Sequence, residues 1–348
     1  MAYVSDGSVA TMPRVNHTIQ TLPITVDLNG GRVALTIHEL AGQVDGPTLA
    51  IVSTVHGNEW FYIEVVRRLI AELQGEAVRG TVLLVPVANP TAFGQITRTT
   101  PDDSDTPDLN RAFPGRYSSI TERLAATIEQ EILTRSQYLI QYDCGPWGWA
   151  INEVMYGTDY PDPGVVDASH AMAVAYGCPL IRAAKLVTEH PGSRSLSGYA
   201  GSTYRLPSIL AEIGGSGFDH AIEEGWIEAN LMGTKRVMQH LGMLEGPITP
   251  VAPQYICPVR ARVNPTAGGM LEAHIGQEKL GAEVHKDQLL GLVRDPYTLE
   301  VLEELRSPGD GWLFYLSRSK PVRPGDFAMG VILREGAIEV KNREEKNA

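Results

Sequence analysis

Between residues 48 and 244, unbroken apolar runs alternate with amphipathic ones, and this alternation constrains the fold more than any other feature. TLAIVSTV (48–55), GTVLLVPVAN (80–89), YLIQYD (138–143) and PSILAEIG (207–214) read as strands. Their continuous apolar character is that of strands covered on both faces. NEWFYIEVVRRLIAELQG (58–75), ERLAATIEQEILTRS (122–136) and HAIEEGWIEANLMGTKRVMQHLGML (220–244) place apolar residues at helical spacing. Strands alternating with helices predict an α/β domain, with a mainly parallel or mixed sheet and helices on both faces. Ahead of it, TLPITVDL and RVALTIHEL alternate in part and flank Gly30-Gly31, as strands joined by a turn do.

The pattern changes at EGPITPVAPQ (245–254), a stretch rich in Pro and Gly. Beyond it, YICPVRARV, LLGLVRD, GWLFYLS and FAMGVILRE are short and β-like, separated by Gly, Pro and Asp. The expected organisation is an α/β domain over 1–245, N-terminal strands included, and a small all-β domain over 255–340. At 348 residues the chain is long enough for this division. The net charge of −12, from 41 acidic and 29 basic residues, argues against nucleic acid or an anionic membrane as partner. No apolar run is long enough to span a bilayer. The opening MAYVSDGSVA lacks a basic segment followed by an apolar one, so no signal peptide is expected. Cys144, Cys178 and Cys257 are too sparse for a disulfide framework, and the expectation is a cytoplasmic protein.

In a parallel α/β sheet, ligands bind beyond the carboxyl ends of the strands. The residues that follow the apolar strands therefore carry the argument. His56 and Glu59 follow the first with i, i+3 spacing, and imidazole and carboxylate are both metal ligands. An isolated HxxE also reads as a helix cap and a surface carboxylate. Gly57 between them allows tight or left-handed backbone. The loop 89–115 is long for a compact domain and holds Arg98 and Arg111. Arginine suits a bidentate grip on a carboxylate or a developing oxyanion. It equally offsets Asp102, Asp103, Asp105 and Asp108 in surface pairs. Asp143 ends the third strand, and Glu212 lies near the end of the fourth.

Taken together, HGNE (56–59), NP (89–90), Arg98, DLNRAFPG (108–115) and PSILAEIGG (207–215) resemble the succinylglutamate desuccinylase/aspartoacylase family in order and spacing. These are metal-dependent amidohydrolases of zinc carboxypeptidase-like fold. The resemblance covers roughly 45–245 and extends more loosely over LGAEVHKDQLLGLVRD and VRPGDFAMGVI in the C-terminal part. It implies that His56 and Glu59 bind one zinc ion and that Asn110 and Arg111 hold a substrate carboxylate. It also implies that Arg98 stabilises the oxyanion of the scissile carbonyl. Glu212 would be the general base that moves a proton from the attacking water to the leaving amine.

One position departs from the family. Its third ligand is a histidine in a motif like D-L-H-T-G, whereas this strand reads YLIQYDCGPWG. Matching Gly145 to the motif's glycine puts Asp143 at the histidine, Gln141 at the aspartate and Cys144 at the threonine. Asp143 as third ligand gives a harder donor set, so manganese, iron or cobalt become alternatives to zinc. Cys144 is a second candidate, although neighbours along a strand point to opposite faces. A third reading is a lost metal site, leaving a protein that binds a small polar ligand or does other chemistry. Trp147 and Trp149 would wall the pocket or pack in the core, Tyr199 would offer a pocket donor, and His190 and His285 read as surface residues. The expected activity is hydrolysis of the amide bond of a small N-acyl amino acid, with carboxypeptidase-type cleavage as a variant. The expected partner is a small molecule, and a homo-oligomer is compatible with this reading.

Overall fold

The computed structural model describes residues 15–27, 29–101, 103, 107–145, 148–188, 194–249, 251–318 and 320–340. β1 (Val15–Val26) and β2 (Arg32–Gly42) form an antiparallel pair. Then come β3 (Val44–Val52), α1 (Phe61–Leu73), β4 (Arg79–Val85), the short α2 (Pro90–Gln95), α3 (Ile120–Glu131) and β5 (Tyr138–Gly145). They are followed by β6 (Trp149–Gly157), α4 (Pro163–Tyr176), β7 (Leu180–Ala184), α5 (Leu196–Thr203), β8 (Ser208–Gly215) and α6 (His220–His240).

β3 lies between β4 and β5, and β5 beside β8, all parallel, as the apolar runs predict. β2 joins β4 antiparallel, while β6 runs antiparallel to β8 and parallel to β7, so the sheet is mixed. Strand alternation assigns the two faces. Ile140, Tyr142 and Cys144 of β5 pack in one core with α1, α4 and α6. Leu139 packs in the other with α3 and α5, and Gln141 and Asp143 share its face.

From residue 255 the described chain is β-structured apart from a 3₁₀ turn at Gln277–Lys279. Its strands are β9 (Tyr255–Cys257), β10 (Arg260–Val263), β11 (Gly269–Ala273), β12 (Glu283–Val284), β13 (Leu289–Arg294), β14 (Val301–Arg306), β15 (Gly311–Ser317), β16 (Pro321–Val322), β17 (Met329–Leu333) and β18 (Ile338–Glu339). Four make a separate sheet in the order β14-β13-β11-β16. Others extend the large sheet: β15 pairs with β6, β17 with β15, β10 with β17, and β9 with β7. The reason lies in β6, because β7 covers only Val154–Gly157 of its second edge. The backbone groups of Trp149–Ile151 on that edge are taken by β15. The two parts of the chain therefore share one sheet. Among the described residues no helix is long and apolar enough to cross a membrane.

Register across the middle of the sheet sets out the floor of a cleft. Asp143, Glu212 and Glu153 stand opposite one another on β5, β8 and β6. Gln141, Leu210, Met155 and Arg182 form the next row on β5, β8, β6 and β7.

Candidate metal centre

Between β3 and α1, Thr54 adopts φ 54°, a left-handed conformation that is rare for a β-branched residue. Gly57 is needed for a different reason than left-handed backbone. A Cβ there would lie 2.0 Å from the Ala92 carbonyl carbon, so only glycine lets α2 approach this closely. The Asn-Pro pair fixes α2 itself: Asn89 Oδ1 accepts from Ala92 N–H at 3.1 Å, and Pro90 opens the helix.

These contacts bring His56 and Glu59 to Asp143. His56 Nδ1 lies 2.9 Å from Glu59 Oε2 and 3.5 Å from Asp143 Oδ1. One donor atom from each of the three lies within 4.8 Å of the others. All three are buried, His56 at 1 %, Glu59 at 2 % and Asp143 at 6 % exposure. On the far side of the imidazole, Nε2 faces Asp108 Oδ1 at 3.2 Å. With Asp108 accepting from Nε2–H, Nδ1 is the nitrogen that faces the two carboxylates, and once it gives up its proton its lone pair is the one placed for a metal. Cys144 is turned into the core on the opposite face.

The three groups shift one another's protonation. Burial, reinforced by the Asp143 charge, pushes the Glu59 carboxyl up to about 8. Burial would raise Asp143 too, but the His56 charge outweighs it and holds that carboxyl below its usual range. Burial would lower His56; Glu59, Asp143 and Asp108 together hold it well above its usual value instead. One imidazole nitrogen and two carboxylate oxygens make a donor set that fits a divalent cation.

Arg98 Nη1 donates to Glu59 Oε1 at 2.9 Å from a half-exposed side chain. The loop after β4 is structured by α2 and a 3₁₀ turn, Leu109–Arg111, which Asp108 caps. Asn110 Oδ1 accepts from Leu196 N–H at the start of α5, at 2.9 Å. Arg111 Nη1 donates to the Asn110 carbonyl. Burial, then the charges of Glu153 and Asp143, push the Glu212 carboxyl well above its usual range. Glu153 is fully buried and accepts from Arg260 Nη1 at 2.8 Å.

His56, Arg98, Asn110, Arg111, Asp143 and Glu212 line one cavity of about 290 Å³. Tyr199 is not among its lining residues. Its hydroxyl donates to Glu129 Oε1 at 2.6 Å, and its ring packs against Phe113 and Tyr204. Helix α5 therefore turns Tyr199 toward α3, away from the cleft. Trp147 and His190 lie outside the described residues. Trp149 packs edge-on against Tyr315 with Lys320 Nζ 4.1 Å above its ring. His285 is exposed beside Asp310.

Sequence reasoning passed over several groups here. Asp108 reads in the sequence as one of several surface acids, although it opens the DLNRAFPG motif. Arg182, Arg260 and Arg262 also line the cavity, and Glu153 stands behind Glu212. These depend on strand register, for which the sequence offers no local signal.

The catalytic-domain model of succinylglutamate desuccinylase/aspartoacylase matches residues 45–144. Over 324 residues the chain is 25% identical to the N-alpha-acetyl-L-2,4-diaminobutyric acid deacetylase of Halomonas elongata, covering 90% of each. Among solved structures it is similar to the product-bound ectoine utilization protein EutE (DoeB) of Ruegeria pomeroyi. The TM-score is 0.77 at 23% identity, over 92% of this chain and 95% of that one. A succinylglutamate desuccinylase from a Silicibacter species gives 0.76 at 24%, over 91% and 95%. An aspartoacylase family protein from Mesorhizobium loti gives 0.76 at 19%, over 95% and 99%. The matched model, the curated relative and the shared fold agree in making this chain similar to the succinylglutamate desuccinylase/aspartoacylase family.

Proposed function

We propose that this protein is a metal-dependent amidohydrolase that cleaves the amide C–N bond of a small N-acyl amino acid or a related compound. One observation carries the reading: the donor atoms of His56, Glu59 and Asp143 converge within 4.8 Å, and Glu212 stands directly opposite Asp143 in the sheet. The three would hold one divalent cation, zinc first, with manganese, iron or cobalt as alternatives on this oxygen-rich set. Such a cation would supply Lewis acidity at the acyl carbonyl and lower the pKa of a water towards ~7.

The chain's own groups do the rest. Glu212, raised by burial and by its acidic neighbours, takes a proton from the attacking water and returns it to the leaving amine. Water oxygen bonds to the carbonyl carbon, the C–N bond breaks, and the amine departs protonated. Arg98 keeps guanidinium donors at the cavity wall beside Glu59, where the oxyanion develops. Asn110 and Arg111 line the same cavity and offer an amide and a guanidinium for a substrate carboxylate. A relative named as the deacetylase of an N-acetylated amino acid supports this substrate class.

Metal analysis of protein purified without added metal tests the reading. The expected result is about one transition metal per chain, lost in Asp143→Ala together with activity on a panel of N-acyl amino acids. Glu212→Gln should keep its metal while turnover falls by ~10²–10⁴. Absence of metal after incubation with zinc or manganese, or no hydrolysis across the panel, overturns it.

A further inference from the structure

The strand that carries Glu212 breaks its ladder just beyond that residue. Asp143 of β5 opposes Glu212 and Gly145 opposes Gly215, so Ile213 and Gly214 of β8 face the single Cys144. This is a bulge, and Gly214 takes a φ of +112° there. A bulge leaves backbone groups without a strand partner, and buried ones have to be satisfied elsewhere. Tyr62 supplies the missing partners. It is fully buried on α1, its ring stacked on Tyr142 with 4.4 Å between centroids and 9° between planes. Its hydroxyl accepts from the Ile213 N–H at 3.0 Å and donates to the Ala211 carbonyl at 2.9 Å.

The hydroxyl has one proton, and the neighbouring groups leave it for Ala211. The Ile213 carbonyl, 3.2 Å from the hydroxyl, accepts from Asn230 Nδ2 at 3.0 Å. Asn230 Oδ1, 3.1 Å away, accepts from the Tyr176 hydroxyl at 2.6 Å. Tyr62 thus bonds the backbone on both sides of Glu212, at Ala211 and at Ile213. A second contact fastens the same two segments: the Phe61 N–H donates to Ser216 Oγ at 3.1 Å. The other end of this connection is the candidate metal centre, because His56 and Glu59 lie just ahead of α1. One helical residue therefore ties the strand of Glu212 to the segment that bears two of the three candidate ligands.

We propose that Tyr62 is a positioning residue, whose hydroxyl fixes Glu212 relative to the candidate metal centre through its hydrogen bonds to the bulge of β8. The role rests on the amidohydrolase reading, in which Glu212 takes a proton from the attacking water. A base acts only within hydrogen-bond reach of that proton, ~2.6–3.2 Å. A misplacement of ~1 Å can cost about 10²-fold in rate. Without the hydroxyl, the Ile213 N–H and the Ala211 carbonyl stay buried with no partner, and the strand has to move to satisfy them. Glu212 lies between the two and moves with them. Tyr142 provides an internal comparison, since its hydroxyl is equally buried but shares its hydrogen bond with Thr234 of α6 instead of with β8.

Tyr62→Phe and Tyr142→Phe each remove one buried hydroxyl and keep the ring. The full-length variants are compared by kinetics on the N-acyl amino acid panel, by metal content, and by hydrogen exchange read on short peptides that end on either side of Ile213. In Tyr62→Phe, kcat should fall at least about tenfold, with KM within about twofold of wild type and about one metal per chain retained. Tyr142→Phe should keep kcat within about twofold, although it loses a hydroxyl of the same core. The Ile213 amide should exchange at least about tenfold faster in Tyr62→Phe and in that variant alone. A smaller fall in kcat overturns the proposal, as does an equal fall in Tyr142→Phe or loss of the metal from Tyr62→Phe. If Tyr62→Phe does not fold, the wild-type protein decides. Its Ile213 amide should exchange as slowly as that of Ile209, which β5 and β6 flank on both sides, and fast exchange overturns the proposal. A wild-type protein that hydrolyses no amide refutes the proposed function, and exchange then decides alone: faster exchange at Ile213 in Tyr62→Phe upholds the hold on the strand, and unchanged exchange overturns it. Hydrolysis that Tyr62→Phe leaves intact does the reverse, sustaining the function and refuting the positioning role.

Discussion

Asp108→Asn isolates the group behind the imidazole. Asp108 Oδ1 faces His56 Nε2 at 3.2 Å and also accepts from Asn110 N–H at 2.9 Å. Asparagine keeps an oxygen for Asn110, so the 3₁₀ turn that carries Asn110 and Arg111 should survive. What is lost is the charge that orients the ring and raises the basicity of Nδ1. Removing such a partner of a ligating histidine weakens metal binding by about 10–100-fold. This corresponds to ~1.4–2.7 kcal/mol. Zinc at about 1,000 times the wild-type Kd stabilises the folded state by ~4.1 kcal/mol, and at the same concentration the variant should gain only ~1.4–2.7 kcal/mol. Two measurements check this: competition for zinc against a chromophoric chelator, and thermal melting with and without zinc. A variant that binds zinc within twofold of wild type refutes the assignment of Asp108. So does a variant whose metal-free form loses as much stability as its zinc-loaded form, because the damage would then be to folding and not to the ligand.

Gly57→Ala should cost at least ~2 kcal/mol by urea unfolding, because its Cβ meets backbone rather than a side chain that can move; a cost under 0.5 kcal/mol would show that α2 can retreat. Tyr199→Phe should leave KM unchanged and cost ~1 kcal/mol or less, since Tyr204 also donates to Glu129 Oε1; a tenfold rise in KM would put this hydroxyl on the substrate. Glu64 is held at about 2 by its hydrogen bond to Arg67, aided by Arg68 and against the opposing effect of burial. Its folded value lies below its ordinary 4.5, so its contribution is complete above pH 4.5 and disappears as pH falls towards 2. The carboxylate is 38% exposed, so screening keeps the effect below ~1 kcal/mol. Glu64→Gln should therefore flatten the melting curve slightly over that acid range, and an unchanged slope would assign the acid sensitivity elsewhere.

What the sequence revealed followed from local pattern. β3, β4, β5 and β8 are apolar throughout because both faces are covered, and each was legible. Residues 144–206 were not: β6 carries Asn152 and Glu153 inside a strand, and the Pro and Asp around 159–163 obscure the start of α4. His56, Glu59 and Asp143 could be named because each closes or follows a readable strand. Glu153 and Arg182 could not, because they reach the cleft only through an antiparallel β6 and a β7 that pairs with it, and register between distant strands leaves no trace in composition. Tyr199 shows the converse error. A tyrosine in a glycine-rich segment before the Glu212 strand suggested a pocket donor, but eight residues of α5 turn it toward Glu129.

The pairing of β15 with β6 has a consequence for how the chain can be divided. The connection at 245–254 invites a truncation that would keep the candidate metal ligands, Glu212 and the whole α/β core. Such a fragment would leave the Trp149–Ile151 edge of β6 bare, along with the edge of β7 that β9 covers. Open, apolar strand edges template association with other chains. The fragment should therefore be recovered as aggregate, although every ligand in it is intact, and the C-terminal strands act as the seal on the sheet that bears the cleft.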